Sequence, residues 1–152
     1  MYFWKTKILA EDIKKDSISD KDWMKYFLFW ILLATLGHYG MSMSPYEDMN
    51  AMLAEMIGIV GIIILGVSIT FITNMQGSGT AQNYFCRATA LSIPIFIKIL
   101  FLSICVGVVM GIMEEALSIS TFSNNWVMCI FALAIEAIYF WRINVHLKYI
   151  NT

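Results

Sequence analysis

The sequence predicts an all-α integral membrane protein, an up-down-up-down bundle of four transmembrane helices, and three observations support this. First, 59% of the 152 residues are hydrophobic and 14% are charged, whereas about 25% of a soluble domain is charged. Second, four apolar runs are each long enough to cross a hydrocarbon core of about 30 Å. Third, basic residues occur in alternate links, as the positive-inside rule requires.

The four spans are expected at about 26–43, 52–73, 88–111 and 125–142, after an N-terminal segment of about 1–25. Together with short links they use nearly the whole chain. The sequence therefore predicts a single membrane domain covering residues 1–152 and no second folded domain.

Two short motifs predict helix starts. Ser19 to Asp22 form a capping box ahead of the first run, so the first helix is expected to begin before the membrane. Ser44 to Glu47 predict a second start, with Ser44 as N-cap and Pro45 in the first turn.

The N-terminal segment has apolar residues loosely on one side of a helix, namely Tyr2, Trp4, Ile8, Leu9 and Ile13. Such a helix is expected to lie flat in the membrane interface. The alternative is a solvated charged tail.

The distribution of lysine and arginine predicts the orientation. The N-terminal stretch has six of them, the second link has Arg87, and the C-terminal tail has Arg142 and Lys148. The other links have none and contain acidic residues instead. Cationic links resist translocation, so both termini are predicted to be cytoplasmic. The excess of lysine over arginine and the abundant isoleucine and methionine resemble the usage of an AT-rich bacterial genome. The membrane is therefore expected to be a bacterial inner membrane.

Two ionisable residues lie inside the predicted spans, Lys98 in the third and Glu136 in the fourth. Intramembrane charges are costly and usually mark a function or a partner. Their depths predict that the two heads meet, because helical side chains lean toward the helix N-terminus and these helices run in opposite directions. Arg87 lies about three turns before Lys98 and is a second candidate partner for Glu136.

This charge pair has two interpretations. The structural interpretation is a buried ion pair that sets the register of the third and fourth helices, or a Lys98 side chain that simply extends toward the cytoplasmic surface. The functional interpretation is a charge relay or the constriction of an ion pathway. Pro94 lies one turn before Lys98 and is expected to kink the helix and free a carbonyl.

A second polar pair is predicted from His38 and Glu55, which flank the first hairpin. The histidine is either a proton sensor or a hydrogen-bonded packing residue.

Small residues predict faces where helices approach closely. Ser103, Gly107 and Gly111 repeat the small-xxx-small spacing twice in the third span, and Ala54 with Gly58 does so once in the second. These contacts form either within one chain or between copies.

Motifs for catalysis, cofactors, metal binding or nucleic-acid binding are not found in the sequence. Cys86, Cys105 and Cys129 show no metal-ligand spacing. We therefore expect a non-catalytic protein in the lipid bilayer, of accessory, regulatory or immunity type, that binds a second copy or a partner membrane protein. The alternative is a small transporter or channel subunit that uses Lys98 and Glu136.

Overall fold

A computed structural model describes residues 4–19, 22–30, 32–33, 48–77, 81–117 and 124–151. This part of the chain is helical and contains no strand. The helices are α1 (Thr6–Lys14), α2 (described residues 22–30 and 32–33), α3 (Met49–Met75), α4 (Ala81–Leu117) and α5 (Asn125–Asn151).

Three helices are long and apolar enough to cross a membrane: Met49–Met75, Asn83–Ala116 within α4, and Asn125–Asn151. They contain the predicted spans at 52–73, 88–111 and 125–142. These three helices define a multi-pass α-helical membrane protein. Of the predicted first span, α2 covers the start, and residues 34–43 lie outside the described part.

Side-chain caps begin three of the helices. Ser19 Oγ accepts a hydrogen bond from the Asp22 N–H (3.3 Å) and donates one to Asp22 Oδ2 (2.8 Å), which confirms the predicted cap of α2. Hydrogen bonds from Lys25 and Ser19 lower the pKa of Asp22. At α5, Asn124 Oδ1 accepts from the Trp126 N–H.

The predicted N-cap of the second span was wrong. Asp48 caps α3, because its Oδ1 accepts from the Asn50 N–H at 2.9 Å and the Ala51 N–H at 3.3 Å. Its backbone is extended, so α3 begins at Met49. Ser44 to Glu47 lie outside the described residues.

The most extensive helix contact joins α3 and α5. Gly58 faces Leu133 and Gly66 faces Phe140, so both helices run in the same direction. Since α4 follows α3 after a short connection and the side chains of Thr70 and Tyr84 meet at 2.8 Å, α4 runs the opposite way. The three long helices therefore alternate in direction, as an up-down bundle requires.

The core lies at one end of the bundle, where α3 and α5 end and α4 begins. We call this the α1 end, because α1 packs there against α4 and α5. Its buried apolar side chains come from α1, α2, α4 and α5: Leu9, Ala10, Ile13, Tyr26, Ala90, Leu91, Ile93, Ile95, Ile143, Leu147 and Ile150.

The N-terminal segment forms the helix α1, so the alternative of a solvated charged tail was wrong. Leu9 and Ile13 are buried in the core, and Tyr149 Oη of α5 donates a hydrogen bond to Glu11. Trp4 and Ile8 remain exposed, and Tyr2 lies outside the described residues. Part of the apolar side of α1 thus packs on protein, and its position in the membrane interface stays a prediction.

The distal half of α4, residues 100–116, is poorly covered by the described residues. Its large apolar side chains are mostly exposed, namely Leu100, Phe101, Leu102, Ile104, Val108, Val109, Ile112 and Met113. With 37 residues, α4 is about 55 Å long. One half of α4 thus belongs to the core, and the described residues leave the other half largely uncovered.

The α3–α5 contact predicts a difference between two glycines of α3. A Cβ at Gly66 would overlap the ring of Phe140, whereas a Cβ at Gly61 meets nothing within 4 Å among the described residues. We expect Gly66→Ala to lower the free energy of unfolding by about 1–3 kcal/mol. Gly61→Ala should leave it unchanged or slightly raised. Unfolding in detergent, followed by circular dichroism, compares the two variants, and equal stability would contradict the close α3–α5 contact.

Candidate functional site

An open groove lies between the distal half of α4 and the first turns of α5. Ser103, Gly107 and Gly111 form its α4 wall, and Met128 and Phe131 form its α5 wall. Its volume is about 450 Å³ and its lining is mostly apolar. No described atom lies within 4 Å of a Cβ built on Gly107 or Gly111. This small-residue groove thus makes no helix contact within the described chain.

The other predicted small-residue face is occupied. A Cβ on Gly58 would lie 2.6 Å from Leu133 Cδ2, so this glycine permits the close approach of α5 to α3. Ala54 is half-buried one turn earlier. Of the two small-residue motifs, the one in α3 thus serves contacts within the chain.

Lys98 is bound by the N-terminal segment. Its Nζ donates a hydrogen bond to Thr6 Oγ1 at 2.8 Å and lies 5.9 Å from the centroid of the Trp4 ring. Arg142 of α5 lines the same pocket as Lys98. The ammonium group of Lys98 is thus held by Thr6, the first residue of α1, and by Trp4, two residues before α1.

No ion pair joins Lys98 to Glu136 among the described residues, so the predicted pair does not form in this structure. The physical reason is rotation about α5. Glu136 and Arg142 are six residues apart, which places them about 120° apart around a helix, and Lys98 lies on the Arg142 side. The depths of Lys98 and Glu136 can be inferred from the sequence, but the rotation of α5 about its own axis cannot. Glu136 is half-buried.

Arg87 is not the partner of Glu136 either. Its Nη1 donates to Asn74 Oδ1 at 3.3 Å and to Asn151 Oδ1 at 3.5 Å. Asn151 Nδ2 in turn donates to the carbonyl oxygens of Thr73 at 2.5 Å and Asn74 at 3.4 Å. We call Thr73, Asn74, Arg87 and Asn151 the asparagine–arginine cluster. It joins the ends of α3 and α5 to the start of α4.

Sequence reasoning missed this cluster. Asn74 is fully buried and Arg87 nearly so, and buried polar groups need partners because desolvation is otherwise uncompensated. The sequence feature that could have revealed the cluster is a polar residue at the end of each apolar run. Matching Asn74 to Asn151 requires the α3–α5 register, which the sequence does not provide.

Two further predicted sites are placed only in part. Pro94 is buried inside α4, which continues as one helix through it, and Ser92 Oγ donates to the Ala88 carbonyl at 2.6 Å. Glu55 is half-buried on α3. His38 lies outside the described residues, so the His38–Glu55 pair stays a prediction.

Comparisons with models of known families, with curated proteins and with solved structures find no match to this chain.

The position of Lys98 predicts which double-mutant cycle shows coupling. Lys98→Met combined with Thr6→Val should give a coupling free energy of about 0.5–1.5 kcal/mol, the usual contribution of a hydrogen bond. Lys98→Met combined with Glu136→Gln should be additive within about 0.5 kcal/mol. Both cycles use unfolding in detergent. A larger coupling with Glu136 than with Thr6 would restore the ion-pair hypothesis.

The asparagine–arginine cluster predicts a specific loss of stability. Asn151→Ala removes a hydrogen-bond acceptor from Arg87 and a hydrogen-bond donor to the end of α3. We therefore expect the free energy of unfolding to fall by about 1–3 kcal/mol. Gln76→Ala is the matched control, because Gln76 is an exposed amide at the same end of the bundle. Equal melting temperatures for the two variants would show that the cluster contributes no net stability.

Proposed function

We propose that this chain is a non-catalytic membrane protein that acts through helix–helix interaction, with a second copy of itself bound at the small-residue groove. The observation that supports this proposal is the open face of Gly107 and Gly111 on an apolar helix. Inside a bilayer, helices associate where small residues allow their backbones to approach.

The residues of α4 favour a second copy of the chain as the partner that binds the small-residue groove. Two parallel α4 helices related by a twofold axis would place Ser103, Gly107 and Gly111 of one copy against the same residues of the other. Such self-complementary contacts are the commonest in homo-oligomers. Exposed apolar residues on either side of the groove, such as Ile104 and Val108, would supply the surrounding packing.

The proposed membrane arrangement has four spans in a bacterial inner membrane, the first at about 26–43, with both termini cytoplasmic. The basis is the alternation of cationic and acidic links in the sequence. The alternative function, a small transporter or channel subunit, was based on Lys98, Glu136 and Pro94. Because the described residues show no ion pair between Lys98 and Glu136, we favour the helix-interaction function.

The orientation is checked with reporter enzymes that are active only in the periplasm. Fusions near Asp48 and Ser120 should be active and a fusion after residue 152 silent. A strong periplasmic signal at the C-terminus would contradict the proposed orientation.

Self-association is checked by cysteine crosslinking in native membranes. In a background in which Cys86, Cys105 and Cys129 are replaced by alanine, Gly107→Cys should form a disulfide-linked dimer on mild oxidation. Cys105 alone, with the other two cysteines replaced, is the matched control, because it is exposed on the same helix, about 160° away from Gly107.

Gly107→Leu tests the energetics of the same contact. It should weaken dimerisation about tenfold, since membrane helix contacts of this kind contribute on the order of 1–2 kcal/mol. Gly61→Leu is the control, as Gly61 also has open space around it. Equal crosslinking from residues 107 and 105, or a dimer unaffected by Gly107→Leu, would contradict the proposal. Crosslinking of residue 107 to a different membrane protein would replace the second copy with a partner.

A further inference from the structure

A cationic pocket lies at the start of α1, apart from the small-residue groove. Its volume is about 350 Å³, and it is lined by Lys5 and Lys7 of the N-terminal segment, Lys98 of α4, and Arg142 and His146 of α5. No carboxylate is among its described lining residues. Four cations from three parts of the fold thus converge without a neutralising acid.

One buried group in the pocket lacks a partner. The His146 side chain is 6% exposed, and its Nε2 atom is buried and makes no hydrogen bond to any described residue. This ring lies in the positive field of Arg142, Lys98 and Lys7. A buried polar atom without a partner is costly, and an acceptor-rich ligand in the pocket would remove that cost.

The α1 N-terminus adds backbone donors to the same pocket. Lys5 is the N-cap and provides no side-chain cap, because an ammonium group cannot accept a hydrogen bond. The Thr6 N–H already donates to the Trp4 carbonyl, but the positive end of the helix dipole still favours an anion there. Lys98 Nζ uses one of its donors on Thr6, and an ammonium group has three.

We propose that this pocket binds a phosphate group, carried either by the headgroup of an anionic lipid or by a small soluble phosphate. The Lys7, Lys98 and Arg142 side chains would provide the charge, and the His146 imidazole would donate a hydrogen bond through its Nε2–H group. Basic pockets between membrane helices are typical binding places for anionic headgroups. An anion there would also stabilise α1 against the bundle, because the pocket joins α1 to α4 and α5.

Thermal unfolding of the full-length protein in a neutral detergent tests the proposal. Three additives are compared: dioleoylphosphatidylglycerol, the zwitterionic dioleoylphosphatidylcholine, and sodium phosphate. We expect saturable stabilisation by the first or the third and none by the second. A response to phosphatidylglycerol alone assigns the site to a lipid headgroup, and a response to sodium phosphate assigns it to a soluble ligand as well.

Two variants of equal charge separate the pocket from general surface charge. Lys7→Gln should weaken apparent binding about fivefold, since one cation near an anionic surface contributes about 1 kcal/mol. Lys15→Gln is the control, because it removes the same charge at the opposite end of α1, and it should change binding less than about twofold.

A direct measurement does not depend on either variant folding well. The chain has two histidines, so His38→Gln leaves His146 as the single histidine signal in a ¹⁵N spectrum. Binding should shift that signal saturably. An unchanged His146 signal with both phosphatidylglycerol and phosphate, an equal effect of phosphatidylcholine, or equal losses in Lys7→Gln and Lys15→Gln would each overturn the proposal.

Discussion

The close packing of α3 on α5 is the constraint on which the other contacts depend. Gly58 and Gly66 allow Leu133 and Phe140 to pack almost against the α3 backbone, which sets both the separation and the register of the two helices. In a bilayer, burying apolar side chains gains little over contact with lipid. The stability of the contact must therefore come from complementary shape and from the close approach of the two backbones. A side chain in place of Gly66 would prevent both.

The α3–α5 register in turn brings Thr73, Asn74 and Asn151 together at the α1 end, where the Asn74 and Asn151 side chains accept hydrogen bonds from the Arg87 guanidinium. The cluster thus positions the start of α4 relative to the other two long helices. Once α4 and α5 are aligned, their buried residues, such as Leu91 and Leu147, present an apolar surface on which Leu9 and Ile13 of α1 pack.

The structural features that depend on local properties of the chain were predicted correctly from the sequence. The three long helices follow from the length of the apolar runs, and the Ser19 cap follows from spacing within one turn. Rotation about the helix axes is a tertiary property. For this reason the Lys98 ammonium group donates a hydrogen bond to Thr6, whereas the sequence predicted Glu136 as its partner. The motifs at Gly58 and Gly107 look alike in sequence, yet one is packed and the other open.

This uneven packing divides the molecule along α4. From Ala90 to Ile95 its side chains are buried, whereas beyond Leu100 most large side chains are exposed. Because α4 continues as one helix through Pro94, its packed first half sets the direction in which its exposed second half extends. The folded α1 end thus helps to position Gly107 and Gly111. Association at the groove would then need little reorganisation of the chain, and its strength would depend on the quality of the contact more than on ordering the helix beforehand.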